Sequence, residues 1–148
     1  MTPSPKIIDF IKGYEKCRLE AYLPTKDDVP TIGWGSTGPD IKLGMVWTQA
    51  QADERFAADL ARFSAKVSAL VGLAPTTQAQ FDALVSFAYN VGYGDGGLKT
   101  STLLRMHKDG DHEGAALQFA RWNKQKGRVL NGLTIRRAAE ADIYRGEA

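Results

Sequence analysis

One long run of helical period limits what this chain can become more than any other feature. After Thr48-Gln49-Ala50-Gln51, which has the form of a capping box, Phe56, Leu60, Phe63, Val67 and Leu70 recur at spacings of four and three. The pattern predicts an amphipathic helix over about 48–71, with Asp53, Glu54, Asp59 and Arg62 on its wet side. Gly72, Pro75 and the polar Thr76-Thr77 end it and mark a boundary. A second capping box, Thr77-Gln78-Ala79-Gln80, opens a strongly apolar helix bearing Phe81, Leu84, Val85, Ala88 and Val91, the expected core of a larger lobe. Gly92, Gly94, Gly96 and Gly97 close that helix. At 148 residues the chain is one folding unit with room for two lobes.

On the N-terminal side, Ile7, Ile8, Ile11 and Tyr14 follow Pro5 with helical spacing, so a first helix should carry Glu15 at its C-terminal end. From about 18 to 37, β-formers alternate with Gly, Pro and Asp and read as a small hairpin or three-stranded sheet, which needs support from a helix. Beyond the glycine cluster, helical runs are expected at 102–108, 113–122 and 134–144, with Leu103, Leu104, Leu117, Phe119, Trp122, Ile135 and Ile143 supplying apolar surface. The expected fold class is α+β, mainly helical. A small N-terminal lobe (1–47) holds the hairpin, and its first helix packs toward the other lobe. A connecting helix (48–71) leads to a larger helical C-terminal lobe (72–148).

Several function classes lack their signatures. There is no HExxH, no paired CxxC and no His/Cys/Asp cluster at metal spacing, so no metal and no cofactor is expected. Gly92-Tyr93-Gly94-Asp95-Gly96-Gly97 follows a helix and lacks Gly-Lys-Ser/Thr, so it reads as a connector rather than a phosphate loop. Cys17 stands alone, which excludes an internal disulfide, and without a paired base it reads as a small core residue; His107 and His112 sit together in a remote polar segment. No segment approaches the ~18 apolar residues of a bilayer span, and Met1-Thr2-Pro3-Ser4-Pro5-Lys6 lacks the parts of a secretory signal. A net charge of +2 suits an anionic wall but identifies no partner. Arg121, Lys124, Lys126, Arg128, Arg136 and Arg137, with Trp122 interleaved, support a competing reading as a binder of nucleic-acid phosphates or an anionic glycan.

The chemistry points elsewhere. Glu15 stands just before the hairpin, where Tyr14, Leu19, Tyr22 and Ile32 can surround it with apolar surface. Desolvation of that kind lets a carboxyl keep its proton near neutral pH. A proton-donating carboxyl is what glycosidic-bond cleavage needs, although a lone glutamate at a helix end is ordinarily a solvated surface residue. The neighbouring motifs alter that balance. Glu15, Arg18-Leu19-Glu20-Ala21-Tyr22, Thr31-Ile32-Gly33-Trp34-Gly35 and the run from Gln80 to Gly92 resemble the phage-type lysozymes, glycoside hydrolase family 24. Ser101-Thr102-Leu103-Leu104-Arg105, Phe119-Ala120-Arg121-Trp122, Leu130-Asn131-Gly132-Leu133 and Arg136-Arg137-Ala138-Ala139-Glu140 are similar to that family's C-terminal lobe, in order over nearly the whole chain.

The resemblance implies a lysozyme-like fold and a muramidase that cuts the β-1,4 bond between N-acetylmuramic acid and N-acetylglucosamine in bacterial peptidoglycan, with the glycan in a cleft between the lobes. Glu15 falls on the family's general acid and Thr31 on the threonine that helps hold the attacking water. The third position departs from the pattern. The family commonly has Asp, sometimes Cys, nine positions after the glutamate and six before the threonine; those counts reach Pro24 and Thr25 here, so the hairpin is one residue longer. Asp27 and Asp28 lie just beyond, in a stretch that also reads as a turn; Asp28 is the candidate water-activating carboxylate. Without either, Thr25 and Thr31 position the water, or Glu15 acts alone and leaves a 1,6-anhydro sugar as lytic transglycosylases do. A non-catalytic wall-binding protein is the third reading. Ser36 replaces the family's usual His at a position that looks structural. Trp34, beside the turn, and Thr25 are the candidate substrate contacts, whereas Trp122 at helical spacing is more often core. As an endolysin the protein is expected to act as a monomer and to remain in the host cytoplasm until a holin-like permeabiliser releases it to the wall, with no stable membrane insertion and no nucleic-acid partner.

Overall fold

The computed structural model describes residues 1–147. In chain order these form α1 (Pro5–Glu15), β1 (Arg18–Tyr22), β2 (Thr31–Gly33), α2 (Gln49–Val71), α3 (Gln78–Val91), α4 (Thr102–Lys108), α5 (His112–Gln118), β3 (Lys124–Gln125), β4 (Arg128–Val129) and α6 (Asn131–Arg145), with 3-10 turns at Leu98–Thr100 and Phe119–Arg121. The class is the expected one, mainly helical α+β. The chain divides into a unit of Ile8–Arg62 and a unit of Met1–Ile7 with everything from Phe63 onward, so both divisions fall inside helices, one in α1 and one in α2.

In the Ile8–Arg62 unit β1 and β2 pair antiparallel, Arg18 with Gly33 and Tyr22 with Thr31, and a register shift between those pairs kinks β1. A third segment lies along β1: Ala21 N–H donates to Met45 C=O at 2.9 Å and Trp47 N–H to Leu19 C=O at 2.8 Å. Ala21, Ile32 and Ile41 are buried beneath it with Met45 and Trp47 against them. Burial of each large aliphatic contributes about 1.5–3 kcal/mol, which is how so small a sheet holds its shape. α2 begins with the expected capping box, Gln51 N–H donating to Thr48 Oγ1 at 3.1 Å and Thr48 N–H to Gln51 Oε1 at 2.8 Å. Ala52, Phe56 and Leu60 are buried, but so is Asp59, at 3% exposure, although it was expected on the wet side. Its carboxylate accepts from Ser36 Oγ at 2.7 Å and from Arg55 Nε at 3.0 Å, and lies 3.3 Å from Arg62 Nη1. Burial of a carboxylate is sustained by such partners.

The other unit is built around α3, buried from Gln80 to Tyr89 and opened by the expected box between Thr77 and Gln80. Asp82 in that helix holds the N-terminal segment, accepting from Ser4 N at 3.0 Å and from Ser4 Oγ at 2.5 Å. α6 packs against α3 and carries three buried charged residues, Arg136, Arg137 and Glu140. Arg137 Nε lies 2.7 Å from Glu140 Oε1, Arg136 Nε 3.4 Å from Oε2, and Ser86 Oγ donates to Oε2 at 2.5 Å. The two arginines therefore leave the basic surface that the sequence suggested.

Other expectations change in this unit too. The run expected at 113–122 is α5 followed by a 3-10 turn, and α6 begins at Asn131 rather than near 134. Leu117 and Ile135 are exposed instead of lining the core. An unforeseen hairpin, β3–β4, turns on Lys126 and Gly127, whose φ values of 51° and 79° suit a two-residue turn that follows the strand twist. His107 is buried, with Nε2 2.8 Å from Thr76 Oγ1 and Nδ1 2.6 Å from Tyr144 Oη. Burial, helped by the nearby charge of His112, depresses its pKa, and burial raises that of Tyr144.

Candidate active site

Glu15 is the last residue of α1 and is half-buried. The helix stops there because Lys16 turns into the left-handed region at φ 54°, its N–H still donating to Lys12 C=O at 3.0 Å. A non-glycine residue in that conformation costs roughly 1–2 kcal/mol, a strain that marks functional sites more often than others. The chain then enters β1 directly.

Opposite this helix end stands a tight loop. Ile32 and Ser36 exchange backbone hydrogen bonds at 3.0 and 2.8 Å, which leaves Gly33-Trp34-Gly35 as the connection between them. Both glycines have positive φ, 65° and 88°. At Gly33 a Cβ would come within 3.1 Å of the Trp47 ring. The Gly35 constraint bears on the chemistry: a Cβ there would lie 2.6 Å from Glu15 Oε1 and 3.3 Å from its Cδ. The Glu15 carboxyl therefore rests on bare backbone, and only glycine permits that approach.

Thr31 opens β2 and is buried. Its Oγ1 donates to Val29 C=O at 3.0 Å, so the hydroxyl hydrogen is spent and the oxygen lone pairs remain to accept from another molecule. The long loop between the strands contains a turn in which Asp28 N–H donates to Thr25 C=O at 3.1 Å. Asp28 is half-buried, and its Oδ1 accepts from Val29 N–H at 2.8 Å; Thr25 is exposed. Asp28, the candidate carboxylate, and Thr25, the candidate substrate contact, thus sit in one turn, which leads through Val29 and Pro30 to Thr31.

Trp34 is half-buried and already engaged. Its Nε1–H donates to Asp53 Oδ1 at 2.9 Å, Lys12 Nζ lies 5.0 Å from its ring centroid, and Phe56 meets it edge-on at 6.2 Å. Gln49 Nε2 donates to the same Asp53 oxygen at 3.0 Å and approaches Cys17 Sγ at 3.6 Å. Hydrogen bonds from Trp34 and Gln49 lower the Asp53 pKa. Cys17 is half-buried rather than a core residue. Ser36, the departure from the family's histidine, is buried and donates to Asp59, while Arg55 reaches from Asp59 across to Asp40 at 2.7 Å. Sequence reasoning missed this network and the seat that Gly35 makes for Glu15; the Gly-Trp-Gly spacing was the available signal for the second. Among the described residues no group of three His, Cys, Asp or Glu side chains could hold a metal ion.

The phage lysozyme family model matches residues 12–140. An endolysin of Bacillus phage B103 is 42% identical over 139 residues, covering 93% of this chain and 51% of that protein, so the chain spans about half the length of this relative. Among solved structures, an endolysin from Escherichia coli O157:H7 phage FAHEc1 superimposes with a TM-score of 0.84 at 39% identity, covering 100% of this chain and 96% of the other. The muramidase domain of SpmX from Asticaccaulis excentricus superimposes at 0.82 with 33% identity, covering 95% of each.

Proposed function

The chain belongs to the phage lysozyme family, and on that premise we propose that it is an endolysin-type muramidase hydrolysing the N-acetylmuramic acid to N-acetylglucosamine bond of bacterial peptidoglycan, with Glu15 as general acid. The observation that carries the reading is the Glu15 carboxyl held at the end of α1 against the Cβ-less backbone of Gly35. A donor fixed by a helix end on one side and a closed loop on the other loses little orientational freedom when substrate arrives.

In this mechanism Glu15 gives its proton to the glycosidic oxygen as the C1–O bond breaks. Thr31 Oγ1, its own hydrogen already committed to Val29, accepts a hydrogen bond from the attacking water. Asp28 takes the water's proton, the role that an inverting hydrolase assigns to its second carboxylate. Thr25 and Trp34 contact the sugar. The protein works as a monomer, stays in the host cytoplasm and reaches the wall once a holin-like permeabiliser opens the membrane. No helix among the described residues is long and apolar enough to cross a membrane.

One observation favours a second reading. Asp28 Oδ1 is tied to the loop backbone, and Pro24 and Thr25 are not acidic. Glu15 would then act twice, first as acid and then as the base that withdraws the proton of the muramoyl 6-hydroxyl, and the product would carry a 1,6-anhydro ring. Mass spectrometry of the products from purified peptidoglycan separates the cases. Reducing-end muropeptides are expected, and none from Glu15→Gln. Anhydro products would transfer the assignment to a lytic transglycosylase, and the absence of any product from the wild type to a wall-binding protein.

A further inference from the structure

The tip of the Gly33-Trp34-Gly35 loop carries one side chain. Ile32 and Ser36 close the loop through their backbones, and of the three residues between them only Trp34 is not glycine. Both glycines have positive φ, and glycine has the most backbone freedom to lose. Any side-chain hold on the tip therefore passes through the Trp34 indole. One face of α2 supplies that hold, with Ala52, Phe56 and Asp59 at helical spacing and Asp53 beside them. A Cβ on Gly33 would lie 3.4 Å from Ala52 Cβ, Trp34 Nε1–H donates to Asp53 Oδ1 at 2.9 Å, Phe56 meets the same indole edge-on, and Ser36 Oγ donates to Asp59 at 2.7 Å. Asp53 is itself steadied by Gln49, one turn earlier, whose Nε2 donates to the same oxygen at 3.0 Å. Lys12, one turn before Glu15 on α1, has its Nζ 5.0 Å from the Trp34 ring centroid and 5.1 Å from that of Phe56, so the indole is also tied to the helix that carries Glu15. Between the anchored Trp34 and Ser36 lies Gly35, the residue under the Glu15 carboxyl.

We propose that Asp53 is a positioning residue for the general acid, on the reading of Glu15 as that acid: it pins the Trp34 indole to α2 and so keeps the Gly35 backbone against the Glu15 carboxyl. The indole has a single donor, Nε1–H, and no acceptor, so Asp53 takes the whole polar capacity of the ring. Hydrogen bonds from Trp34 and Gln49 favour the ionised form of the carboxylate, which keeps the anchor in place at neutral pH. Asp53 is exposed, and a polar contact at the surface adds little to stability. Its effect falls on geometry instead. With the anchor removed, the two glycines let the tip pivot, and a displaced proton donor loses rate without any loss of substrate binding.

Kinetics of Asp53→Ala and Asp53→Asn on soluble peptidoglycan strands test this. Asp53→Ala should lower kcat about tenfold with KM within about twofold of wild type, the pattern of an interaction that counts only in the transition state, and its melting temperature should be unchanged. Asp53→Asn retains a carbonyl that can accept from Nε1–H, so it should keep kcat within about threefold of wild type. Trp34→Phe keeps an aromatic ring and loses the donor; the double variant with Asp53→Ala should be no slower than Trp34→Phe alone, because both remove one bond. In proton–nitrogen spectra the indole Nε1–H resonance that Trp34→Phe deletes should move upfield in Asp53→Ala and stay in place in Asp53→Asn. A wild-type kcat in Asp53→Ala, a loss confined to KM, a melting temperature that falls with the rate, or additive losses in the double variant would each overturn the role of Asp53. Retained turnover in Glu15→Gln would instead overturn the reading beneath it, whereas an inactive Glu15→Gln beside a fully active Asp53→Ala removes Asp53 alone.

Discussion

Glu15 and Glu140 are the same side chain in opposite surroundings, one in each unit. Glu140 is 0% exposed and has Arg137 at 2.7 Å, Arg136 at 3.4 Å and the Ser86 hydroxyl at 2.5 Å. Burial pushes its carboxyl above the ordinary range against the pull of the guanidiniums, yet no substrate can reach it. Glu15 is half-buried at a helix end, with a glycine backbone under its carboxyl. Asp59 stands between the two: it is buried like Glu140, but its arginines reach water, with side-chain exposures of 22% and 49%. A perturbing environment is therefore not enough to identify an acid catalyst. On the proposed function, partial exposure and a glycine backbone under the carboxyl separate Glu15 from the structural carboxylates.

The comparison breaks most visibly at Glu140. Replacing it with Ala removes the buried carboxylate that Arg136, Arg137 and Ser86 share, and the loss should be about 3–5 kcal/mol in chemical denaturation, with specific activity unchanged in the molecules that remain folded. Gly35→Ala is the counterpart in the other unit. The new methyl would displace the Glu15 carboxyl and also strain the backbone at φ 88°; turnover should fall by about 100-fold, while the melting temperature falls only modestly. A variant with normal turnover would remove Gly35 from the account. Asp59→Asn should cost about 1–3 kcal/mol, because Ser36 and Arg55 lose an ionised acceptor whose site is only partly dry. A loss as large as that at Glu140 would erase the distinction drawn between their arginine shells.

The smallest effect is one of pH. His107 is held neutral by burial, so its folded pKa lies below the unfolded value. Between those two values the unfolded chain binds more protons. Stability is therefore complete above the ordinary histidine pKa of about 6.5 and declines as pH falls through the window toward the folded pKa. Melting curves at descending pH should show this slope in the wild type and a shallower one in His107→Gln. Equal slopes would move the effect to other groups.

What could be read in advance divides along local and long-range lines. Both capping boxes, the end of α1 at Glu15 and the apolar α3 follow from spacings of a few residues, and the structure has them where the sequence placed them. Asp59 was assigned to solvent because its face of α2 is polar; its partner Ser36 is 23 positions away and invisible to a helical wheel. Arg136 and Arg137 were read as basic surface although Glu140, three and four residues on, was there to pair with them. The β3–β4 hairpin escaped notice because strands of two residues have no alternation to detect. Within the site, Glu15 stands out by its place before the hairpin and by the resemblance, Thr31 by the resemblance, and Asp28 as a nearby carboxylate in the longer loop. The contact between Glu15 and Gly35 needed coordinates, since a glycine in a turn has many ordinary reasons to be there.

The most direct test of the central claim pairs two quantities on two proteins, turnover on purified peptidoglycan and melting temperature, for Glu15→Gln and Glu140→Gln. The account expects Glu15→Gln to lose about 10²–10⁴ in turnover with a melting temperature close to wild type, and Glu140→Gln to melt far earlier while its folded fraction turns over normally. Retained turnover in Glu15→Gln would contradict the assignment of the general acid.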